Sequence, residues 1–191
     1  MSEERPLITP EEVLEFWFEG NPFARREVWF KQNDAFDAAC ERCRPALQAS
    51  REGQLDHWAE TPLGALALIL LLDQFPRNLN RGSPLAFAAD AKAREIARSA
   101  LARGFDAALT PVQRAFIYLP FEHSENLADQ EESVRLYTAL HPELGGEALD
   151  YAVRHHDVIR RFGRFPHRNA ALGRQNTAAE ESYLSEPGAG F

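Results

Sequence analysis

Apolar residues recur at three- and four-residue spacing along most of the chain, and hydroxyl-proline pairs punctuate that rhythm. Thr9-Pro10, Thr61-Pro62, Ser83-Pro84 and Thr110-Pro111 each stand immediately before an apolar periodic stretch. The hydroxyl can accept an orphan amide proton of a first helical turn, while proline has no amide to leave unpaired and a φ already helical. Each pair therefore predicts a helix start. Thr9 with Glu12, and Thr177 with Glu180, add capping boxes. Gly20, Gly53 and Gly104 fall where periodic segments stop, as expected of residues that accept the left-handed conformation after a last turn. Between these marks the pattern predicts helices over about 9–19, 33–51, 61–74, 83–103, 110–122, 127–140, 146–163 and 177–185. No stretch alternates with a period of two, so no sheet is expected.

Short connections between these segments imply antiparallel neighbours, so the expected architecture is an all-α bundle of helix pairs with about eight helices. A chain of 191 residues, 45% hydrophobic and 26% charged, can bury a real core. We expect one helical domain over 9–185, an N-terminal tail over 1–8 and a flexible tail over 186–191. The net charge of -8 argues against nucleic acid or an anionic membrane as partner. The start "MSEERPLITPEEVLEFWFEG" is acidic where a signal peptide needs a basic start, which points to the cytoplasm. The apolar run "LGALALILLL" at 63–72 is about half the roughly 20 residues of a membrane helix and reads as a buried one.

Cys40 and Cys43 form "CERC" without the strand of a redox motif or a second ligand pair, and their spacing fits a core stripe with Phe36 and Leu47. The aromatic segment 13–32, with Phe16, Trp17, Phe18, Phe23, Trp29 and Phe30, is expected in the core, as a lid, or at a homodimer interface.

One sequence appears almost twice: Phe75-Pro76-Arg77-Asn78, and Phe165-Pro166-His167-Arg168-Asn169. Proline should end the apolar helix before each, turning Phe75 and Phe165 out to pack. The polar residues around them, Asp73, Gln74, Arg77, Asn78 and Arg81, then Arg164, His167, Arg168, Asn169 and Arg174, exceed what a turn requires. Some arginines could pair with Asp73, Asp157 or Glu122 as structural struts. A further polar knot follows Pro120, which should kink or end its helix: Glu122, His123, Ser124 and Glu125. In "DYAVRHHDVIRRFG", helical spacing groups His156 with Leu149, Val153 and Ile159, and His155 with Tyr151, Val158 and Phe162.

The blocks "LDQFPRNLNRGSPLAFAADAKA", "FIYLPFEHSENLADQ" and "HHDVIRRFGRFPHRNAALGR", the last followed by "TAAEESYL", resemble the bacterial family called domain of unknown function nine hundred and twenty-four. The resemblance spans about residues 9 to 185. It implies a tetratricopeptide-like right-handed stack of helix pairs, although no strict tetratricopeptide consensus recurs at a fixed period. It implies no activity, cofactor or catalytic residue.

Function must therefore come from side-chain chemistry. Arginine forks and amides suit a carboxylate or phosphate. The leading expectation is a binding module for a small anionic metabolite or peptide carboxylate. Its ligand contacts would be Asp73, Gln74, Arg77, Asn78, Glu122, His123, His156, Arg164, His167, Arg168 and Asn169. The alternative is a hydrolase or lyase, with Glu122, His123, His156 and His167 as candidate catalytic groups and Ser124 as a nucleophile. Histidines and carboxylates could also suggest a metal, but no compact ligand spacing such as H-E-x-x-H occurs, so neither metal nor cofactor is implied by motif. A third reading is a protein-interaction scaffold whose polar blocks are struts.

Overall fold

The structure, a computed structural model, describes residues 8–190; residues 1–7, which make up most of the expected N-terminal tail, and Phe191 lie outside it. Among the described residues the fold is all-α, without a strand. Helix α1 spans Pro10–Phe18, α2 Asp34–Cys40, α3 Arg44–Arg51 and α4 Pro62–Ile69. Helix α5 spans Phe75–Leu79, α6 Asp90–Ala102, α7 Pro111–Glu122, α8 Leu127–Leu144, α9 Gly146–Phe162 and α10 Ala178–Leu184.

All four hydroxyl-proline pairs act as the pattern predicts. Thr9, Thr61, Ser83 and Thr110 each accept a backbone N–H of the following turn, and both predicted capping boxes form. Ser83 heads only a short 3-10 turn, Pro84–Ala86, so the segment expected as one helix over 83–103 divides, and α6 begins at Asp90. That division places Phe87 on the wall of a cavity and Asp90, at the start of α6, against Arg77.

Apolar on every side, α4 is buried on every side. It packs against α1, α6 and α7, and every side chain from Leu66 to Leu72 is inaccessible. Its far end departs from expectation. Pro76 does not end the helix, and Phe75 keeps helical dihedrals of -56° and -37°. The chain passes through a π-turn over Leu70–Gln74, in which the Phe75 N–H donates to the carbonyl five residues back at Leu70, and continues as α5. Proline lacks an amide, and its ring crowds the carbonyl four residues earlier; the wider turn relieves that crowding and lets the helix proceed. Pro120 likewise neither ends nor stops α7. Tyr137 Oη donates to the Ala115 carbonyl at 2.8 Å, and Gln130 Nε2 to the carbonyls of Glu122 and Ser124 at 2.6 Å each, so side chains of α8 satisfy groups near the proline and the helix end. The second Phe-Pro turn does leave its helix. Gly163 closes α9 at φ +70°, and Phe165 is extended and fully buried.

An aromatic cluster ties α1 to these elements. Trp17 stacks on Trp29 at 6.0 Å between centroids, Trp29 meets Phe116 edge-on at 4.9 Å, and Trp17 lies 5.1 Å from Phe75. Such pairs add about 0.5–1.5 kcal/mol each beyond burial. Cys40 and Cys43 are free and fully buried in the same core, and burial pushes their thiols up to about 12 and about 11.

The start of α4 is pinned by a close approach, since a Cβ on Gly64 would collide with the Trp58 carbonyl oxygen and lie 2.8 Å from Thr61 Oγ1. Gly64→Ala is expected to cost about 1–3 kcal/mol in urea unfolding, because backbone must shift to admit the methyl group. Unchanged stability would show that α4 can slide.

Candidate functional site

The π-turn and the residues around it concentrate charge in the interior. Asp73, wholly buried in that turn, receives Gln74 Nε2 at 2.6 Å. Its two carboxylate oxygens stand 2.8 and 2.9 Å from His123 Nδ1, at the C-terminal end of α7. Arg77 Nη1 donates to the Asp73 carbonyl at 2.6 Å and lies 3.5 Å from its carboxylate. The same guanidinium makes two 2.9 Å hydrogen bonds to Asp90 at the start of α6. Arg77 is therefore a clamp between the π-turn and α6. Asn78 and Arg81 both reach Asp37 of α2, at 2.7 Å each at their shortest.

The second turn is anchored by Glu125, whose carboxylate accepts the Phe165 N–H at 2.8 Å and two hydrogen bonds from Arg174 at 2.7 and 2.8 Å. From this anchor Arg168 points at the first turn. Its Nη1 stands 3.6 Å from Asp90, and its guanidinium lies 4.7 Å from the centre of the Phe87 ring, over which Arg77 also lies at 5.5 Å. The two Phe-Pro turns thus meet at Asp90 and Phe87. Arg168 is far less satisfied than Arg77. It is 6% exposed, its Nε has no hydrogen-bond partner among the described residues, and the carboxylate it pairs with, Asp90, is beyond hydrogen-bond length.

Both turns open onto a cavity of about 820 Å³. Its polar floor carries Gln74, Arg77, Asn78, Arg81, Glu122, His123, His155, His167 and Arg168. Its walls are apolar: Trp29, Phe30 and Phe23 from the segment after α1, Val112, Phe116 and Leu119 from α7, Leu144, Ala148 and Tyr151 from the α8–α9 corner, and Phe87. Phe23 and Phe30 are its most exposed aromatics, 72% and 52% accessible. Arg25, over the Phe30 ring, pairs with Glu147 across the rim. Gly190, in the expected C-terminal tail, reaches the cavity beside His167.

Burial disturbs the floor's titrations. Glu122, 4% exposed, is pushed up to about 8, chiefly by burial and then by the Asp73 carboxylate. Burial, together with Arg77, lowers His123, while burial holds His155 well below the ordinary histidine value. His167 falls to about 4 through burial and the neighbouring Arg168. Burial opposes the charge on Asp73, yet His123 and Arg77 hold it below the usual carboxylate range. At neutral pH the floor therefore combines uncharged histidines, a carboxyl that keeps its proton and an arginine that keeps its charge even though burial and Arg77 lower it to about 10. Such clusters of perturbed groups in a cavity are characteristic of functional sites.

Of the sequence candidates, Gln74, Arg77, Asn78, Glu122, His123, His167 and Arg168 line the cavity, and Asp73 lies directly behind His123. Asn169, buried, bonds Asn176 at 2.8 Å. Arg164 pairs with Glu180 at 2.6 Å, away from the cavity. His156 turns to Asp157 at 3.4 Å, while its neighbour His155 faces inward, with Nδ1 2.8 Å from the Tyr151 carbonyl and 3.2 Å from Glu122 Oε1. The stripe chosen for His156 contains Val153, which is 39% exposed; the buried stripe is Ala152, His155 and Ile159, at the same helical spacing. Ser124 is also withdrawn, since its hydroxyl donates to Asp129 at 2.7 Å. Phe87 and Asp90 lie within the sequence block around the first turn but show no sign of their role by residue type alone. Among the described residues no group of three His, Cys, Asp or Glu is arranged to hold a metal ion.

A family model described as "Bacterial protein of unknown function (DUF924)" matches residues 13–188. The chain belongs to this family. The solved structure of a protein of unknown function, ATU0120 from Agrobacterium tumefaciens, is similar to it with a TM-score of 0.83 at 41% identity, covering 92% of this chain and 96% of that one. No curated protein matches. The resemblance drawn from the sequence blocks is thereby shown, and with it the all-α class.

Two outcomes test the electrostatics. Arg77→Met leaves Asp73 and Asp90 short of their clamp and is expected to cost about 3 kcal/mol in chemical unfolding; a loss near zero would mean the clamp is dispensable. Glu122 binds its proton more tightly folded than unfolded, so stability is present at acid pH and lost as pH rises toward about 8. Between pH 6.5 and 8 the Glu122 contribution to stability should fall by roughly 2 kcal/mol, against a smaller opposite contribution from the buried histidines, and Glu122→Gln should remove the falling part of the slope. An equal slope in the variant would place the titration elsewhere.

Proposed function

We propose that this protein binds a small anionic molecule with an apolar body in the cavity between the two Phe-Pro turns. The observation that carries the reading is Arg168: a buried guanidinium on the cavity floor, with an unpartnered Nε and a carboxylate no nearer than 3.6 Å. A buried cation so sparsely compensated is costly unless an anion completes it. A carboxylate matches the fork geometry of guanidinium. Opposite it, Trp29, Phe30, Phe116 and Leu119 offer an apolar wall for a chain or ring, and about 820 Å³ suits a ligand of metabolite size. Arg77 contributes field rather than grip, since its donors are already engaged. No helix among the described residues is long and apolar enough to cross a membrane, and the acidic chain disfavours a polyanionic partner.

Calorimetric titration with hexanoate and 3-phenylpropionate, against uncharged hexanol, separates charge recognition from greasy binding. Both carboxylates are expected to bind and to raise the melting temperature, hexanol to do neither, and Arg168→Met to weaken binding by about 2–5 kcal/mol. Equal affinity of the variant for hexanoate would remove Arg168 from the site.

A further inference from the structure

We propose that the cavity performs acid-base chemistry on an anionic keto acid, His123 removing a proton from the carbon beside the carbonyl while the Glu122 carboxyl protonates the carbonyl oxygen. This rests on the anion-binding reading, because Arg168 must hold the carboxylate for the reacting carbon to reach the floor.

The geometry that motivates it is the Asp73–His123 contact. With both Asp73 oxygens within 2.9 Å of Nδ1, that nitrogen carries the proton and donates it to the carboxylate. The lone pair is left on Nε2 of a ring that lines the cavity. Asp73 itself is wholly buried behind the ring and serves as a positioning residue. Glu122 precedes His123 at the same helix end and lines the same floor, and a buried carboxyl that keeps its proton at neutral pH is a hydrogen-bond donor suited to an enolising oxygen. The aromatic walls give the substrate's carbon chain an apolar surface to lie along, while the open rim lets His123 exchange its proton with solvent.

The choice of reaction follows from what else the cavity lacks among its described lining. Ser124 is committed to Asp129, Cys40 and Cys43 sit in the core, and the Tyr137 hydroxyl donates to the Ala115 carbonyl, so no serine, threonine or cysteine nucleophile stands among the described lining beside His123. Proton transfer needs no nucleophile and no co-reactant. The C–H bond breaks to His123 Nε2, its electron pair forms the carbon–carbon double bond, and the carbonyl π pair takes the Glu122 proton. Reversal returns the keto acid with a solvent-derived proton from His123, delivered to the face from which the first was taken.

The groups that set its pH dependence come from several elements. His123 faces Asp73 and Arg77 of the π-turn and α5, Asp90 of α6, His155 of α9 and His167 of the second turn, and Arg168 in turn acts on His155 and His167. Glu122 faces Asp73, His155 and Tyr137. The rate should rise with pH as His123 becomes neutral and fall as Glu122 loses its proton near about 8.

The test is proton NMR of α-ketohexanoate in deuterated buffer, following loss of the signal beside the keto group, with calorimetry on the same compound. Wild type is expected to speed exchange at least about 100-fold over buffer, saturably and with competition from hexanoate, and His123→Gln to lose at least about 100-fold. Asp73→Asn should move the rising limb of the pH profile rather than only scale the rate. Because either substitution could perturb folding, the wild-type profile decides independently: a bell supports the proposal, and a rate unchanged between pH 6 and 9 overturns it. Binding of α-ketohexanoate without exchange overturns the chemistry and leaves the anion site standing. Absence of binding overturns both.

Discussion

The buried clamp made by Arg77 between Asp73 and Asp90 is the constraint on which the site depends. It fastens a π-turn to the start of α6, and it sets a carboxylate behind His123 and another between the two arginines. Removing one partner from such a network leaves uncompensated charge in a region of low polarisability, so the cluster stands or falls together. The π-turn is part of the same arrangement. By absorbing Pro76 without ending the helix it carries the chain on into α5, where Arg77 reaches back to the Asp73 carbonyl, while Gln74 and Asn78 line the cavity floor.

The repeated Phe-Pro-Arg-Asn pattern is thus not repeated in role. The first copy lies inside a helix and its arginine is consumed by two aspartates; the second lies beyond a helix end, and its arginine is left on the cavity with aromatic rings on two sides, Phe87 and Phe165. One arginine builds the site, and the other is available to it. The contrast between a strut and a donor comes from partners supplied by distant segments.

Much of the fold was legible in the sequence because helix starts are local events. A threonine followed by proline satisfies its own first turn whatever the rest of the chain does, and all four pairs behaved so. Pro76 does not end its helix as expected because the effect of an internal proline depends on its surroundings: here a π-turn widens the helix, and at Pro120, inside the last turns of α7, Tyr137 and Gln130 satisfy nearby carbonyls. In the site, the choice between adjacent histidines turned on which of two overlapping stripes faces inward, and Val153, though apolar, is on the outer one. Asp90 and Phe87 could not be singled out from residue type, since a first-turn aspartate and a lone phenylalanine are commonplace in helical proteins. Only the convergence of both turns on them gives them meaning.

The central claim is that Arg168 holds the charged end of a ligand whose body lies along the aromatic wall. Co-crystals with 6-bromohexanoate, read through the anomalous signal of bromine, test it most directly. The account predicts the carboxylate within hydrogen-bond reach of the Arg168 guanidinium and the bromine among Trp29, Phe30 and Phe116. A ligand reversed in the cavity, with its carboxylate at the Arg25 rim, or bound outside it, would contradict the account.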